Sequence, residues 1–271
     1  MKMMNVKKGY KLAEPFGIGL YIHWSFWVLV VYLGLNYFSR GGVGGMFDGL
    51  TMVAGVFGCV VLHELGHSLA ARFFGIGTRD ITLYPIGGVA ALDKMPGKPL
   101  QEIIIALAGP AVNLVILIML GALAGMGISG GILSALFYTN VFLVLFNLIP
   151  AFPMDGGRVF RAGLSLAMPR DRATNIAAGI GKVCAGLMVV AGLFSNIMLT
   201  LIGVFIWMAA GAEQRYVQSE EAYHQMFGKV FPDSPPPMPS THRDGGAEVV
   251  EPEVLPPERV GGERAPFVHR G

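Results

Sequence analysis

Six long apolar segments constrain the fold of this chain more than any other feature of its sequence. A helix needs about 20 mainly apolar residues to cross the hydrocarbon core of a bilayer, and each segment has about that length. Hydrophobic residues make up 53% of the 271 residues, whereas only 14% are charged. This composition excludes a soluble globular protein and predicts a polytopic α-helical membrane protein. The predicted spans are residues 18–38, 50–74, 101–126, 131–150, 176–194 and 196–212.

Charge divides the chain into an apolar body and a polar tail. Residues 1–212 carry 14 basic and 8 acidic side chains, whereas residues 213–271 carry 6 basic and 10 acidic ones. Neither part has the basic surface that nucleic acid requires, so lipid is the expected surrounding and no nucleic-acid partner is predicted. The expected organisation is a cytoplasmic arm (1–17), a six-span domain (18–212), a short interfacial helix (213–230) and a disordered proline-rich tail (231–271).

The basic residues of the short loops predict how the spans are oriented. Lysine and arginine accumulate on the cytoplasmic side of a membrane protein. The loops on one side carry almost all of them, and those on the other side carry only Arg40. With six spans, both termini are then cytoplasmic and the protein is a multi-pass protein of the cell membrane. The basic residues assigned to the cytoplasmic side are Lys2, Lys7, Lys8, Lys11, Arg79, Lys94, Lys98, Arg158, Arg161, Arg170 and Arg172.

Three ionisable residues lie together in the middle of the second span, in the sequence HELGH. A charged residue at the centre of a membrane helix costs about 2.5–3.5 kcal/mol, so three such residues indicate a function. His63 and His67 are four residues apart, lie on one helix face, and can share a tetrahedral Zn²⁺. Glu64 lies beside them, where it can take a proton from metal-bound water. Cys59 lies one turn earlier and is expected to behave as a small hydrophobic residue.

A catalytic zinc site needs a third protein ligand and one open position for water. Acidic residues are few in the apolar body, and Asp155 stands out because of the surrounding sequence NLIPAFPMDGGR at 147–158. Pro150 and Pro153 forbid a regular helix there, and the two following glycines allow a sharp return. Irregular backbone near a membrane is tolerated only where protein buries it or where it lines a wet cavity. We therefore expect this segment to fold back and carry Asp155 towards the histidines.

These two motifs, HELGH in one apolar span and NLIPAFPMDGGR after a later one, resemble the site-2 protease family of intramembrane zinc metalloproteases. Three further stretches match its prokaryotic members, and the resemblance covers about residues 15–212. The sequence contains neither the PDZ insertion nor the CBS pair of some subfamilies, so we expect neither of their regulatory inputs. The further matching stretches are GLYIHWSF at 19–26, YPIGGVA at 84–90 and AGPAVN at 108–113.

The resemblance implies one Zn²⁺ held by His63, His67 and Asp155, with Glu64 as general base. It places Asn147 at an asparagine that contacts substrate or stabilises an oxyanion. The local alternative for Asn147 is a cap at the end of the fourth span or a bond to a neighbouring helix. The implied reaction is hydrolysis of a peptide bond in a transmembrane segment of a membrane-anchored regulatory protein, which releases a domain.

The sequence TRDITLYPIGGVAAL at 78–92 is too short and too interrupted for a span, and its apolar pattern predicts β-strands. The predicted fold is therefore six membrane helices with a small membrane-associated β-element between the second and third. An exposed strand edge there can pair with an extended peptide; the alternative is a connecting hairpin that plugs the site. Asn113 and Asn140 are expected to bond neighbouring helices.

Two other functions compete with proteolysis. A membrane transporter would use the buried His and Glu residues as an ion site, but it predicts inverted repeats, and spans 1–3 show no correspondence with spans 4–6. A zinc-stabilised but inactive binding protein predicts loss of the base, and Glu64 is present. The sequence thus favours an intramembrane zinc endopeptidase acting on a transmembrane protein.

Overall fold

The computed structural model describes residues 9–85 and 87–227, which form a mostly helical protein with one small sheet. The predicted tail at 231–271 lies outside the described residues, as do the first eight residues of the predicted arm. Residues 213–227 continue the last helix without a break. The elements in chain order are β1 (Tyr10–Ala13), β2 (Gly19–Ile22), α1 (Trp24–Phe73), β3 (Thr78–Tyr84), β4 (Gly87–Leu92), α2 (Pro99–Gly125), α3 (Gly131–Asn147), α4 (Asp155–Leu164), α5 (Arg170–Ser195) and α6 (Ile197–Phe227).

The sheet has four strands in the order β1-β2-β3-β4. Two of them, β3 and β4, lie within residues 78–92, where the sequence predicts β-strands. β2 and β3 are parallel and are connected through α1, whereas the outer pairs are antiparallel. The start of the first predicted span is wrong, because residues 19–22 form a strand and the helix begins only at Trp24. Ile18, Leu20 and Ile22 are buried, which is the alternation of a strand. A short apolar run does not by itself distinguish a buried strand from a helix.

Helix α1 consists of two antiparallel arms, residues 24–40 and 43–73. The backbone leaves the helical conformation at Gly41 and Gly42, and the positive φ of 59° at Gly42 favours glycine. The rings of Phe26 and Phe57, one on each arm, meet edge to face with centroids 4.6 Å apart. The first two predicted spans therefore form one helical hairpin, with the HELGH motif on its second arm.

Among the described residues, four helices are long and apolar enough to cross a membrane: α1, α2, α5 and α6. Helix α3 is apolar but shorter, with 17 residues. Only Asn196 separates α5 from α6, as the sequence predicts. The structure thus agrees with a multi-pass membrane protein, and the number of six spans stays a prediction.

The end of α1 places its second arm against both the sheet and α2. The chain turns at Gly75, whose φ is 71°, and the amide of Ile76 donates to the carbonyl of Ala71 at 3.0 Å. Such a left-handed glycine cap is a common helix C-terminus. Ala71 and Ile76 then pack with Ile105 of α2 in one buried cluster. This contact holds the HELGH arm and α2 side by side next to the sheet.

The chain between α3 and α4 is irregular, as the two prolines predict, and it is partly buried. Ala151, Phe152 and Met154 are buried against α5 and α6. The glycines after Asp155 do not make the predicted turn, because they lie inside α4. A methyl group at Gly157 would lie 2.6 Å from the backbone of Ala151, so the glycines let α4 pack closely on the preceding segment.

One residue assigned to the cytoplasmic loops has a different place in the structure. Arg161 lies inside α4, is only 1% exposed and pairs with Glu102 of α2 and Glu213 of α6. Its sequence position, between two spans, gave no sign of burial. The prediction that this loop is cytoplasmic therefore depends on its other basic residues.

Candidate metal centre

Two distant parts of the chain bring His63, His67 and Asp155 together. The histidines lie on the second arm of α1, and Asp155 is the first residue of α4. The Nε2 atoms of the histidines are 3.1 Å apart, and each is 3.2 Å from Oδ2 of Asp155. All three residues are buried, with exposed fractions of 5%, 6% and 7%. The three potential ligand atoms thus form a nearly equilateral triangle inside the protein.

The other ring nitrogens show that these three atoms present lone pairs to one another. Nδ1 of His63 is 2.7 Å from Oδ1 of Asn113, and Nδ1 of His67 is 2.7 Å from the carbonyl oxygen of Ile105. Both partners are acceptors, so Nδ1 carries the hydrogen and Nε2 of a neutral ring carries none. Within the described part of the chain, Oδ2 of Asp155 has no hydrogen-bond donor. Three buried lone pairs that face each other repel unless a cation lies between them.

The size of the triangle fits zinc. Bonds of about 2.0–2.2 Å to nitrogen and oxygen in a tetrahedral site place the ligand atoms about 3.4 Å apart. The observed separations of 3.1–3.2 Å are close to that value. Two nitrogens and one carboxylate oxygen leave the fourth position open, as a catalytic zinc site requires. The donor set therefore fits a zinc ion.

The backbone of α2 closes one side of the metal centre at Gly109. A Cβ atom there would collide with Nε2 of His67 and lie 2.8 Å from Nε2 of His63. Glycine is therefore the residue that leaves room beside the two ligand nitrogens. Nothing in the local sequence marks this position except its place in the AGPAVN stretch.

Glu64 is half-buried beside the two histidines and lies against the edge strand β4. A Cβ atom on Gly88 would be 2.7 Å from Cγ of Glu64 and 3.3 Å from Cγ1 of Val60. The sheet thus comes next to the predicted base, as the sequence leads one to expect for residues 78–92. The outer edge of β4 carries no paired strand among the described residues.

The remaining predicted residues have different surroundings. Asn147 is the last residue of α3, and its Nδ2 donates to the carbonyl of Leu143, four residues earlier in the same helix, at 3.0 Å. Its substrate role stays a prediction. Cys59 does not join the triangle, since its Sγ lies 3.3 Å from Nδ2 of Asn140. The sequence did not reveal that Asn113 contacts His63, although both residues lie in stretches that it singled out.

Comparisons with known proteins agree with this geometry. The model of peptidase family M50 matches residues 51–130 and 118–190, which together include both ligand segments. The chain belongs to peptidase family M50. This is the site-2 protease family, so the resemblance inferred from the two motifs is confirmed.

Two curated relatives resemble different shares of the chain. A zinc metalloprotease of Methanocaldococcus jannaschii is 39% identical over 225 residues, which are 81% of this chain and 64% of that protein. Stage IV sporulation protein FB of Bacillus subtilis is 29% identical over 116 residues, 42% of this chain and 40% of its own length. The chain thus spans less than two thirds of the length of each of these relatives, 64% of the first and 40% of the second.

A solved structure shows the same fold. The site-2 protease from Methanocaldococcus jannaschii superimposes with a TM-score of 0.58 and 37% sequence identity, covering 76% of this chain and 94% of that one. The M50 relatives named as zinc metalloproteases and the His-His-Asp cluster both fit a zinc cofactor. The predicted zinc cofactor is therefore confirmed.

Proposed function

We propose that this protein is an intramembrane zinc endopeptidase, which hydrolyses a peptide bond in or near a transmembrane helix. The observation that carries the proposal is the buried triangle of two imidazole nitrogens and a carboxylate oxygen, with Glu64 beside it. Two of the three ligands lie on a helix that is apolar enough to cross a membrane. A soluble peptide would have poor access to a site in that position, so the natural substrate is a segment already in the bilayer.

Each residue of the site has a proposed role. His63, His67 and Asp155 hold the zinc ion, which when bound acts as a Lewis acid and lowers the pKa of a coordinated water. The carboxylate of Glu64 takes the proton from the attacking water and delivers it to the leaving amine nitrogen. The amide of Asn147 stabilises the substrate oxygen that gains negative charge. This last role requires Asn147 to give up or share its bond to Leu143.

Strand β4 is the proposed binding site for the substrate backbone. An unpaired strand edge offers a row of N–H and C=O groups to an extended peptide. β4 lies against Glu64 through Gly88, so a peptide paired there would pass close to the metal. The transmembrane helix of the substrate must unwind first, because a helix holds its own carbonyls in hydrogen bonds.

The proposed topology has six spans with both termini in the cytoplasm. The two arms of α1 count as two spans, and α2, α3, α5 and α6 supply the others. The connections at 41–42, 126–130 and 196 would then be external, and the sheet and the metal centre would lie towards the cytoplasm. The substrate would be a membrane-anchored regulatory protein whose cytoplasmic part is released.

A transporter is the less favoured alternative. The relative from Methanocaldococcus jannaschii is named a zinc metalloprotease, and the three potential ligand atoms fit a metal with an open position for water. An ion-transport site would also have to release its ion during each cycle, which a buried site of two imidazoles and a carboxylate does not favour.

Zinc content and proteolysis of purified variants distinguish the zinc ligands from the base. Glu64→Gln is nearly isosteric but not basic, so the purified protein should keep one zinc per chain and lose cleavage of a helical substrate by about 10²–10⁴-fold or more. His67→Ala should lose both zinc and cleavage. Asp48→Asn, which removes an exposed carboxylate from the same helix, is the matched control and should change neither. Substantial cleavage by Glu64→Gln would exclude the proposed mechanism.

A further inference from the structure

A chain of buried hydrogen bonds runs from His63 through two asparagines to a backbone carbonyl. Nδ1 of His63 is 2.7 Å from Oδ1 of Asn113 on α2. Nδ2 of Asn113 donates to Oδ1 of Asn140 on α3 at 2.8 Å. Nδ2 of Asn140 donates in turn to the carbonyl of Leu136 at 2.8 Å. Both asparagines are fully buried, so the chain connects three helices away from water.

The backbone carbonyl at the end sets the direction of every bond in this chain. A carbonyl can only accept, so Asn140 must turn its NH₂ group towards Leu136. Its second N–H direction faces Sγ of Cys59 at 3.3 Å, which is also an acceptor. Oδ1 of Asn140 therefore faces Asn113 and accepts a hydrogen bond from the NH₂ group of that residue. Oδ1 of Asn113 then faces His63. Because this oxygen can only accept, the hydrogen of the imidazole must be on Nδ1.

The orientation of Asn113 decides which nitrogen of His63 can bind metal. With Oδ1 towards the ring, the hydrogen is on Nδ1 and Nε2 has a free lone pair. If the amide were reversed, its NH₂ group would require a lone pair on Nδ1, and the hydrogen would move to Nε2. That tautomer cannot bind a metal through Nε2. His67 has no such ambiguity, because its Nδ1 faces the backbone carbonyl of Ile105.

We propose that Asn140 is a positioning residue of the metal centre, although it does not touch any ligand. By holding the amide of Asn113 in one orientation, it keeps His63 in the tautomer that binds zinc. The inference rests on the zinc site of the proposed function. It goes beyond packing between helices, which is the role that the sequence suggested for both asparagines.

A double-mutant cycle between residues 113 and 140 tests this role. The four proteins are the wild type, Asn140→Leu, Asn113→Asp and the double variant, each purified as the full chain in detergent. A protonated aspartate at position 113 can carry its hydrogen on whichever oxygen faces Oδ1 of Asn140 and accept from His63 with the other, so it needs no guidance from residue 140. The affinity for zinc is measured by competition with a chelator, and the visible spectrum of the Co²⁺-loaded protein reports the ligand set.

We expect Asn140→Leu to weaken zinc binding about 10–100-fold when residue 113 is asparagine, as outer-shell substitutions commonly do. In the Asn113→Asp background the same substitution should change the affinity by about twofold or less. The Co²⁺ spectrum should change only when residue 113 is asparagine. Asn140→Asp is the conservative variant: a protonated carboxyl can donate to Leu136 and accept from Asn113, so zinc binding should be near that of the wild type.

If Asn140 acts through packing alone, Asn140→Leu should weaken zinc binding equally whether residue 113 is asparagine or aspartate, and that result would overturn the proposal. So would full zinc affinity in Asn140→Leu. If Asn140→Leu does not give a monodisperse protein, Asn140→Ala takes its place in the same cycle. A wild-type protein that binds no zinc would contradict the proposed function and this inference together, whereas a zinc-binding wild type with an additive cycle would contradict only this inference.

Discussion

Arg161 and Glu102 form an ion pair inside the protein, with exposed fractions of 1% and 4%. Nε of Arg161 is 3.1 Å from Oε1 of Glu102, and the guanidinium also pairs with Glu213. Its carbon lies 5.1 Å from the centre of the Phe152 ring. Since α4 begins at Asp155, this ion pair attaches the helix that carries the third proposed ligand to α2 and α6.

The first prediction concerns this pair. Arg161→Met should destabilise the protein by up to about 3–5 kcal/mol, because the buried carboxylate of Glu102 would keep only Arg170, 4.0 Å away, as a counter-charge. The free energy of unfolding in detergent is the measurement. Adding Glu102→Gln should recover part of the loss. Arg79→Met is the control, since Arg79 is exposed and its pair with Asp93 should contribute less than about 1 kcal/mol. Equal effects of the two arginine substitutions would show that burial of the pair is unimportant.

Gly109→Ala should abolish zinc binding while the protein stays folded. The added methyl group would occupy the space beside the two ligand nitrogens, colliding with His67 Nε2. Metal content of the purified protein is the readout. Gly121→Ala lies on the same helix with nothing within 4 Å, so it should keep zinc and be stabilised by up to about 1 kcal/mol through helix propensity. Normal zinc content in Gly109→Ala would mean that α2 does not close the site as described.

Gly88→Ala should reduce proteolysis about 10-fold or more without loss of zinc. The methyl group would press on Cγ of Glu64 and displace the proposed base, whereas the three ligands would be untouched. Cleavage and metal content are measured on the same preparations. Val89→Ala, which shortens an exposed side chain on the same strand, should change neither. A loss of zinc in Gly88→Ala would instead indicate that β4 supports the ligands themselves.

The orientation in the membrane can be tested with reporter fusions. Reporters placed after Arg40 and after Gly130 should report the external side, and one placed after Lys98 the cytoplasmic side. The reason is the excess of basic residues at the ends where the sheet and the metal centre lie. The inverse pattern would place the metal centre towards the outer surface and exclude a cytoplasmic release of the substrate domain.

Local features of the sequence were sufficient to predict the part of the site that lies on one helix. His63, Glu64 and His67 share a single turn, so their spacing alone predicts that the histidines point the same way. The apolar segments predict a membrane protein because hydropathy acts residue by residue along a helix. The long motif around Asp155 was distinctive enough to nominate a third ligand, although nothing local could show that it reaches the histidines.

Hydropathy alone could not show that residues 18–22 contain a strand or that Arg161 is buried. The first stretch is as apolar as a membrane helix, and only its pairing with β1 and β3 shows that it contains a strand. Arg161 resembles an exposed loop residue until Glu102 and Glu213, 59 and 52 positions away, are brought beside it. Both assignments depend on partners that are distant in sequence.

The sequence by itself determined the membrane character of this protein, its family and the residue types of its metal centre, because each follows from short motifs or from composition. Only the tertiary structure decided that three ligand atoms meet within 3.2 Å of one another, and that Asn113 and Asn140 lie behind His63. The physical reason is that a tautomer, a ligand triangle and a buried ion pair are properties of atoms from different helices. Their positions are set by how the helices pack, which no single stretch of the chain encodes.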